Sequence, residues 1–334
     1  MTVEEEQFVN PVPRKHLQHL TYQHWQLRDL LTCPETSEEV YFVRTNSILK
    51  YNTLSKETIE FQKSLPFEPT SLTSSHGFLA AGGNRSQLLV RELNSGWKKT
   101  MSVGGSINNA LCISQHSEGP CLLVCNNDET IKVYSLPELH HLFSIPLPTA
   151  VNYASVSPDG TKLVAVGDST DAYLFAFSRN GYVRSSTFKV ADDGSFSCAW
   201  NQSGNKFAVA SQDGSVSVWD IRSNRQLCRL GSRQASSRSQ RPSSGRATRC
   251  VKFSPSGSDL LMYTEHTSNF HVVDARHFDT VQSIRIGPPG ADCDIVGATF
   301  SPDSQVLFVG IQNAILEYEV DTVGRRCFPA GTIV

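Results

Sequence analysis

The sequence predicts an all-β fold, a closed ring of seven blades with four antiparallel strands each, and three observations predict it. Residues 208–221 hold two short alternating runs that meet at Asp213-Gly214, the pattern of half-buried strands joined by a tight turn. Asp-Gly is expected there to supply the positive φ angles of a two-residue hairpin. Versions of this stretch recur along nearly the whole chain. The turns that follow the first strand of a unit begin at Ser157, Asn201, Ser254 and Ser301, at separations of 44, 53 and 47 residues. Repeats of about 40–45 residues with four strands each are the mark of a propeller blade.

Taken in order, residues 1–21 read as an N-terminal arm, with Glu4-Glu5-Glu6, two prolines and the basic run Arg14-Lys15-His16. The ring spans 22–330, and 331–334 form a tail. Blade one takes 24–31, 40–43, 48–51 and 58–61; blade two takes 71–74, 78–81, 88–90 and 99–103. Blade three takes 107–113, 121–125, 131–134 and 142–145; blade four takes 151–160, 163–166, 172–177 and 186–190. The last three are 196–200, 206–211, 216–221 and 226–230; then 249–253, 260–263, 270–273 and 281–286; then 296–300, 306–310, 315–318 and 325–328. The two long intervals carry insertions that explain them, a Ser/Arg-rich segment at 231–246 and Gly-Pro-Pro-Gly at 287–290. Closure is left open between two arrangements. Either the stretch around 8–12 adds a strand beside blade seven, or residues 330–334 pair at the rim.

Composition limits the function classes. The 334 residues are 39% apolar, enough for a large core, and 30 basic against 32 acidic residues give no global attraction to nucleic acid or membrane. Nine cysteines without paired spacing sit mostly in apolar runs and fit reduced, buried thiols, and no stretch suits a signal peptide or a membrane span. A soluble cytoplasmic or nuclear protein is the expectation. No nucleophile elbow, phosphate-binding glycine loop, His-Glu-x-x-His or Cys-x-x-Cys is present. Cys121 and Cys125 share a strand but stand about 13 Å apart, too far to hold one zinc. A non-catalytic protein with no cofactor and no metal is expected.

Residues 201–220, ending in Val-Trp-Asp, together with 157–177 and 301–319, resemble the repeats of the WD-repeat family. The resemblance covers about 22–330 and implies a seven-bladed WD-type β-propeller that holds partners on a platform without doing chemistry. Residues 24–30, 125–134 and 147–160 are similar to a group of fungal WD-repeat proteins. The chain also departs from the family pattern, since most blades lack the Gly-His pair and end in Tyr, Phe or Val. Even blade five has Trp219 and Asp213 without Gly-His, which puts the family's buried hydrogen-bonded tetrad in doubt.

In such a ring the interblade loops and the turns between middle strands gather at one channel mouth. Asn84, Arg85, Asn108, Asn109, Asn127, Asp128, Asn152, Tyr153, Asp168, Asp213 and His266 fall there. They are candidates for holding a peptide backbone, a chain terminus or a basic side chain. Turn chemistry is the competing explanation for each Asn and Asp. Asn108, Asn109 and Asn152 stand out because no tight turn demands them. A second feature is electrostatic: residues 221–258 hold nine basic and no acidic residues, among them Arg233, Arg238, Arg241, Arg246 and Arg249. Residues 231–245 have too little apolar content to fold alone. Ser236 and Ser244 each follow an arginine by three residues, the spacing that suits basophilic kinases, and phosphate there would offset the basic charge. The expected role is capture of a protein or peptide partner, as a substrate-recruiting subunit, for instance of a ubiquitin ligase, or as a scaffold. The alternative is a chromatin- or RNA-associated adaptor using 221–258; nucleic acid is not the expected partner, since the loop has no aromatic to stack on bases.

Overall fold

The computed structural model describes residues 7–116, 118–179, 181–231 and 246–326. It contains seven four-stranded antiparallel sheets, arranged as the blades of a WD-type β-propeller. The strands in the middle of each blade are packed on both faces by neighbouring blades. They therefore read as continuous apolar runs, as in Phe78–Gly83, buried throughout. Outer strands meet solvent on one or both sides. Val281–Arg285, for example, buries only Ile284.

The periodic turns have a side-chain cause. Ser157 Oγ donates to Asp159 Oδ1 at 2.5 Å and accepts from Lys162 N at 2.9 Å. Ser301 repeats both contacts, with Asp303 Oδ1 at 2.6 Å and Val306 N at 3.0 Å. In blade five Asn201 Oδ1 plays the accepting part, taking Lys206 N at 2.9 Å. These local bonds satisfy turn amides that the sheet ladder leaves over, so the same polar residues recur in blades four to seven.

The turn at Asp213-Gly214 differs from expectation. Strands Lys206–Ser211 and Ser215–Asp220 leave a three-residue loop, and only Gly214 has a positive φ, of 83°. This matches a tight turn closed by a left-handed glycine instead of a two-residue hairpin. A Cβ at Gly214 would lie 2.8 Å from the carbonyl oxygen of Arg246, so glycine is needed for space as well.

Closure follows the first of the two arrangements, with the added strand a few residues further along the chain. The outer strand of blade seven is Arg14–His16, paired antiparallel with Ala314–Glu319 in the register Arg14↔Glu317 and His16↔Ile315. Residues 14–16 of the expected arm thus belong to the ring. The expected strand at 325–328 is replaced by a 3-10 turn over Gly324–Arg326 as far as the described residues reach. Arg14 and Lys15 are exposed on this edge strand and His16 is buried against Tyr51 and Glu317, so the strand needs no apolar alternation. The anchoring is done upstream. Phe8 and Val9 are buried against blades six and seven, Val9 bridges Val320, and Gln282 Oε1 accepts from both backbone amides at 2.7 and 2.9 Å. Blade one is corrected too: only Leu31–Thr32 of the expected strand at 24–31 pairs in the sheet. No helix among the described residues is long and apolar enough to cross a membrane.

Candidate partner-binding site at the channel mouth

In blades two to seven the inner strand slips register against its neighbour near its first residue. The slips fall between Pro69 and Ser71, Asn108 and Ala110, Val151 and Tyr153, Ser195 and Ser197, Thr248 and Cys250, and Ile295 and Gly297. Each is a β-bulge that leaves one residue without a partner and re-aims its side chain. The residues so released are Thr70, Asn109, Asn152, Phe196, Arg249 and Val296. The first five border a single small space at the channel mouth, completed by Arg28 from the segment ahead of blade one. One bulge from each of blades two to six thus builds the mouth.

This geometry changes the reading of the asparagines. Asn108, Asn109 and Asn152 are buried, at 0, 5 and 4% exposure, and tie blades to each other. Asn108 Nδ2 donates to Gln87 O at 2.9 Å, while its Oδ1 accepts from Asn126 Nδ2 at 2.8 Å. Asn109 Nδ2 reaches Val151 O at 2.9 Å, Asn127 Oδ1 at 3.2 Å and Asn152 Oδ1 at 3.3 Å. Asn152 Nδ2 donates to Asp168 Oδ1 at 2.7 Å and to Ser195 O at 3.1 Å. Their amides serve the ring and are not presented to a partner.

Asn84, Arg85, Asn127 and Asp168 are exposed at the rim. Asp128 and Asp213 are engaged in their own turns. Asp128 accepts from Gly105 N and Lys132 Nζ, both at 2.8 Å; Asp213 accepts from Ser215 N at 2.8 Å and Arg229 Nη2 at 2.7 Å. Burial raises the pKa of both carboxyls, but these bonds outweigh it and hold them below the usual range. Tyr153 lies deeper, its hydroxyl donating to Asp29 Oδ2 at 2.9 Å, and Lys252 Nζ takes Asp29 Oδ1 at 2.7 Å. Burial pulls the Lys252 pKa down, and the Asp29 carboxylate more than restores it. This trio joins blades four and six to the segment preceding blade one across the channel.

Above the bulge ring lies a cationic and aromatic cluster that joins Arg249 and His266, both named from the sequence, to Arg28, Tyr22, Trp25 and Phe196, which were not. Arg28 and Arg249 are buried, at 3 and 2% exposure. The Arg28 guanidinium sits 3.4 Å from the Tyr22 ring centre, and that of Arg249 lies 4.5 Å from Phe196 and 5.6 Å from Trp25. Arg249 Nε reaches His266 Nδ1 at 3.3 Å. Burial, then the two arginines, push the His266 pKa down to about 4; the same causes lower that of His24. Trp25 is 56% exposed over this cluster, with His24 stacked on it. Nothing in the spacing joins residues 22–28 to 249 and 266. The one available signal was an aromatic and two histidines in segments that need no turn.

Among the described residues the basic stretch is partly paired. Arg222 pairs with Asp220, Arg229 with Asp192 and Asp213, and Lys252 with Asp29; Arg249 is buried, and Arg225 and Arg246 are exposed. Arg233, Ser236, Arg238, Arg241 and Ser244 lie outside the described residues. The far end of the channel opens into a depression of about 430 Å³, bordered by turn residues such as His76, Pro158, Pro255 and Pro302, with Asp29, Tyr153 and Lys252 also lining it. Among the described residues no three His, Cys, Asp or Glu side chains group to hold a metal ion. Trp219 Nε1 is buried without a hydrogen-bond partner among them, which sets this blade apart from the family's tetrad.

Comparison with known proteins agrees with this architecture. A family model described as "WD domain, G-beta repeat" matches residues 183–220, and one described as "Uncharacterised protein domain (DUF2415)" matches 246–285. The protein "Uncharacterized protein C4G3.03" of Schizosaccharomyces pombe (strain 972 / ATCC 24843) is 31% identical over 340 residues, covering 96% of this chain and 94% of its own. A chain in the "Crystal Structure of Mitotic Checkpoint Complex" has the same fold, with a TM-score of 0.74 at 15% identity over 96% of this chain and 94% of that one. The chain belongs, with the S. pombe protein, to the WD-repeat β-propeller family.

Proposed function

We propose that this propeller is a non-catalytic subunit of a larger complex and that it captures a protein partner at the channel mouth, with Trp25 as the anchor. The observation that carries the reading is the exposed indole of Trp25, 56% open to solvent directly over a mouth whose other central side chains are buried. Tryptophan dominates binding energy where it is found in interfaces, because it buries a large rigid surface while its N–H finds a partner. The exposed rim residues Asn84, Arg85, Asn127 and Asp168 would supply the polar border around it. Recruitment of a substrate, as in a ubiquitin ligase, and scaffolding are the two forms this role takes. The pairing of Arg222, Arg229 and Lys252 with carboxylates and the burial of Arg249 weigh against an adaptor that binds chromatin or RNA through 221–258, where Arg225 and Arg246 are the exposed cations outside such pairs among the described residues.

The test is affinity purification with wild type and Trp25→Ala, with Arg222→Ala as a control far from the mouth. The variant is expected to fold as wild type and to lose its main protein partner, a fall of at least tenfold in recovery. An unchanged set of partners would sink the proposal, and salt-sensitive binding of RNA or DNA would favour the adaptor reading.

A further inference from the structure

We infer that the small space at the channel mouth is a binding site for a monoatomic anion of chloride size, held between the guanidinium groups of Arg28 and Arg249. Both arginines are more than nine-tenths buried and border that space. Four of their nitrogens, Nε and Nη1 of Arg28 and Nη1 and Nη2 of Arg249, have no hydrogen-bond partner among the described residues. Every one is an N–H donor. Buried cations are ordinarily paired, and an unpaired one is costly.

The nearby carboxylates do not fill the need. Asp29 is spent on Lys252 and Tyr153, and Asp168 accepts from Asn152. Asp294 accepts from Tyr22 at 2.8 Å and lies 3.5 Å from Arg28 Nη2, which leaves no carboxylate among the described residues within salt-bridge distance of Arg249. Thr70 and Ser71, also bordering the space, donate to backbone carbonyls. What is missing is an acceptor, and a negative one.

Size selects among anions. The positions open to the centre of a small ligand there span about 10 Å³, room for one monoatomic ion or one water. A phosphate or sulfate, with four oxygens around its central atom, needs several such positions. A water fits but brings two hydrogens of its own and no charge. A halide accepts from several N–H groups at once and offsets the repulsion between the two guanidiniums.

Thermal unfolding of the full chain in sodium chloride and in sodium gluconate, at matched ionic strength, tests this. Chloride is expected to raise Tm saturably, by roughly 5 °C at about a hundredfold excess over its Kd, with bromide replacing it. Arg249→Leu should remove the difference between the two salts, while Arg222→Leu, exposed on blade five, should retain it. Crystals grown in bromide should show an anomalous peak between Arg28 and Arg249, which decides the matter if Arg249→Leu does not fold. Equal Tm values in the two salts, a chloride response that survives Arg249→Leu, or an empty site in bromide crystals would each overturn the inference.

Discussion

The ring is held together differently in two places. From blade two to blade five the ties are neutral amides: Asn108, Asn109, Asn126 and Asn152 pass hydrogen bonds from blade to blade beneath the surface. Where the ring closes, the ties run between ionisable side chains. Arg14 and His16 meet Glu317 at 3.2 and 2.6 Å, Arg325 meets Asp274 at 2.6 Å, and Asp29 meets Lys252 at 2.7 Å. A neutral amide network is indifferent to salt and to pH, whereas the closing contacts depend on both. The difference assigns the permanent part of the structure to blades two to five and the condition-dependent part to the seam.

Breaking the seam should have the largest effect. Phe8→Ala removes a ring that is 2% exposed and packed in the core of blades six and seven, at a cost of about 3–5 kcal/mol. Denaturant unfolding measures that loss. Hydrogen exchange should show lost protection in Ala314–Glu319 while Gly119–Asn126 in blade three stays protected; equal loss in both strands would erase the contrast. Breaking an amide tie comes next. Asn152→Ala takes the side-chain donor from the Ser195 carbonyl and from Asp168 and one of three acceptors from the Asn109 amide, and should cost about 1–3 kcal/mol, by nearly the same amount in low and high salt. A salt-dependent cost would contradict the division.

Acidification should have the smallest effect and should act on the charged side. The His266 pKa falls from the ordinary 6.5 to about 4 in the folded chain. Between those values the unfolded chain binds the proton and the folded one does not. Stability is therefore complete above about pH 6.5 and declines toward pH 4, by at most about 1.4 kcal/mol per pH unit. His24 is shifted in the same direction and adds to the trend. Further down, Glu317 and Asp274, both held below the ordinary range despite burial, lose their contributions as the pH falls through their lowered folded values. Melting curves between pH 7 and 5 check this, and His266→Gln should flatten the slope; an unchanged slope would assign it elsewhere.

The blades were legible because their causes are local. Apolar runs and the Ser157, Asn201 and Ser301 turns act within a few residues of themselves, so their spacing carries the fold. The outer strand of blade seven was not legible, because Arg14-Lys15-His16 has no apolar residue to mark it and its pairing partner lies about 300 residues away. The mouth was half legible. Asn109, Asn152 and Arg249 were found, but as presented groups, since a one-residue bulge that turns them inward leaves no mark in the pattern. Lys252 and Asp29 are 223 positions apart, and only the closed ring brings them together.

The strand at Arg14–His16 also sets the order of events during synthesis. It leaves the ribosome about 300 residues before Ala314–Glu319, the strand it must pair with. Until then it waits as an unpaired, strongly basic edge that no other blade has a place for. Contacts of such separation are slow to form and leave sheet edges open to other chains in the meantime. The ring therefore closes only when Arg14–His16 meets Ala314–Glu319, and a nascent chain stalled before blade seven is an open ring.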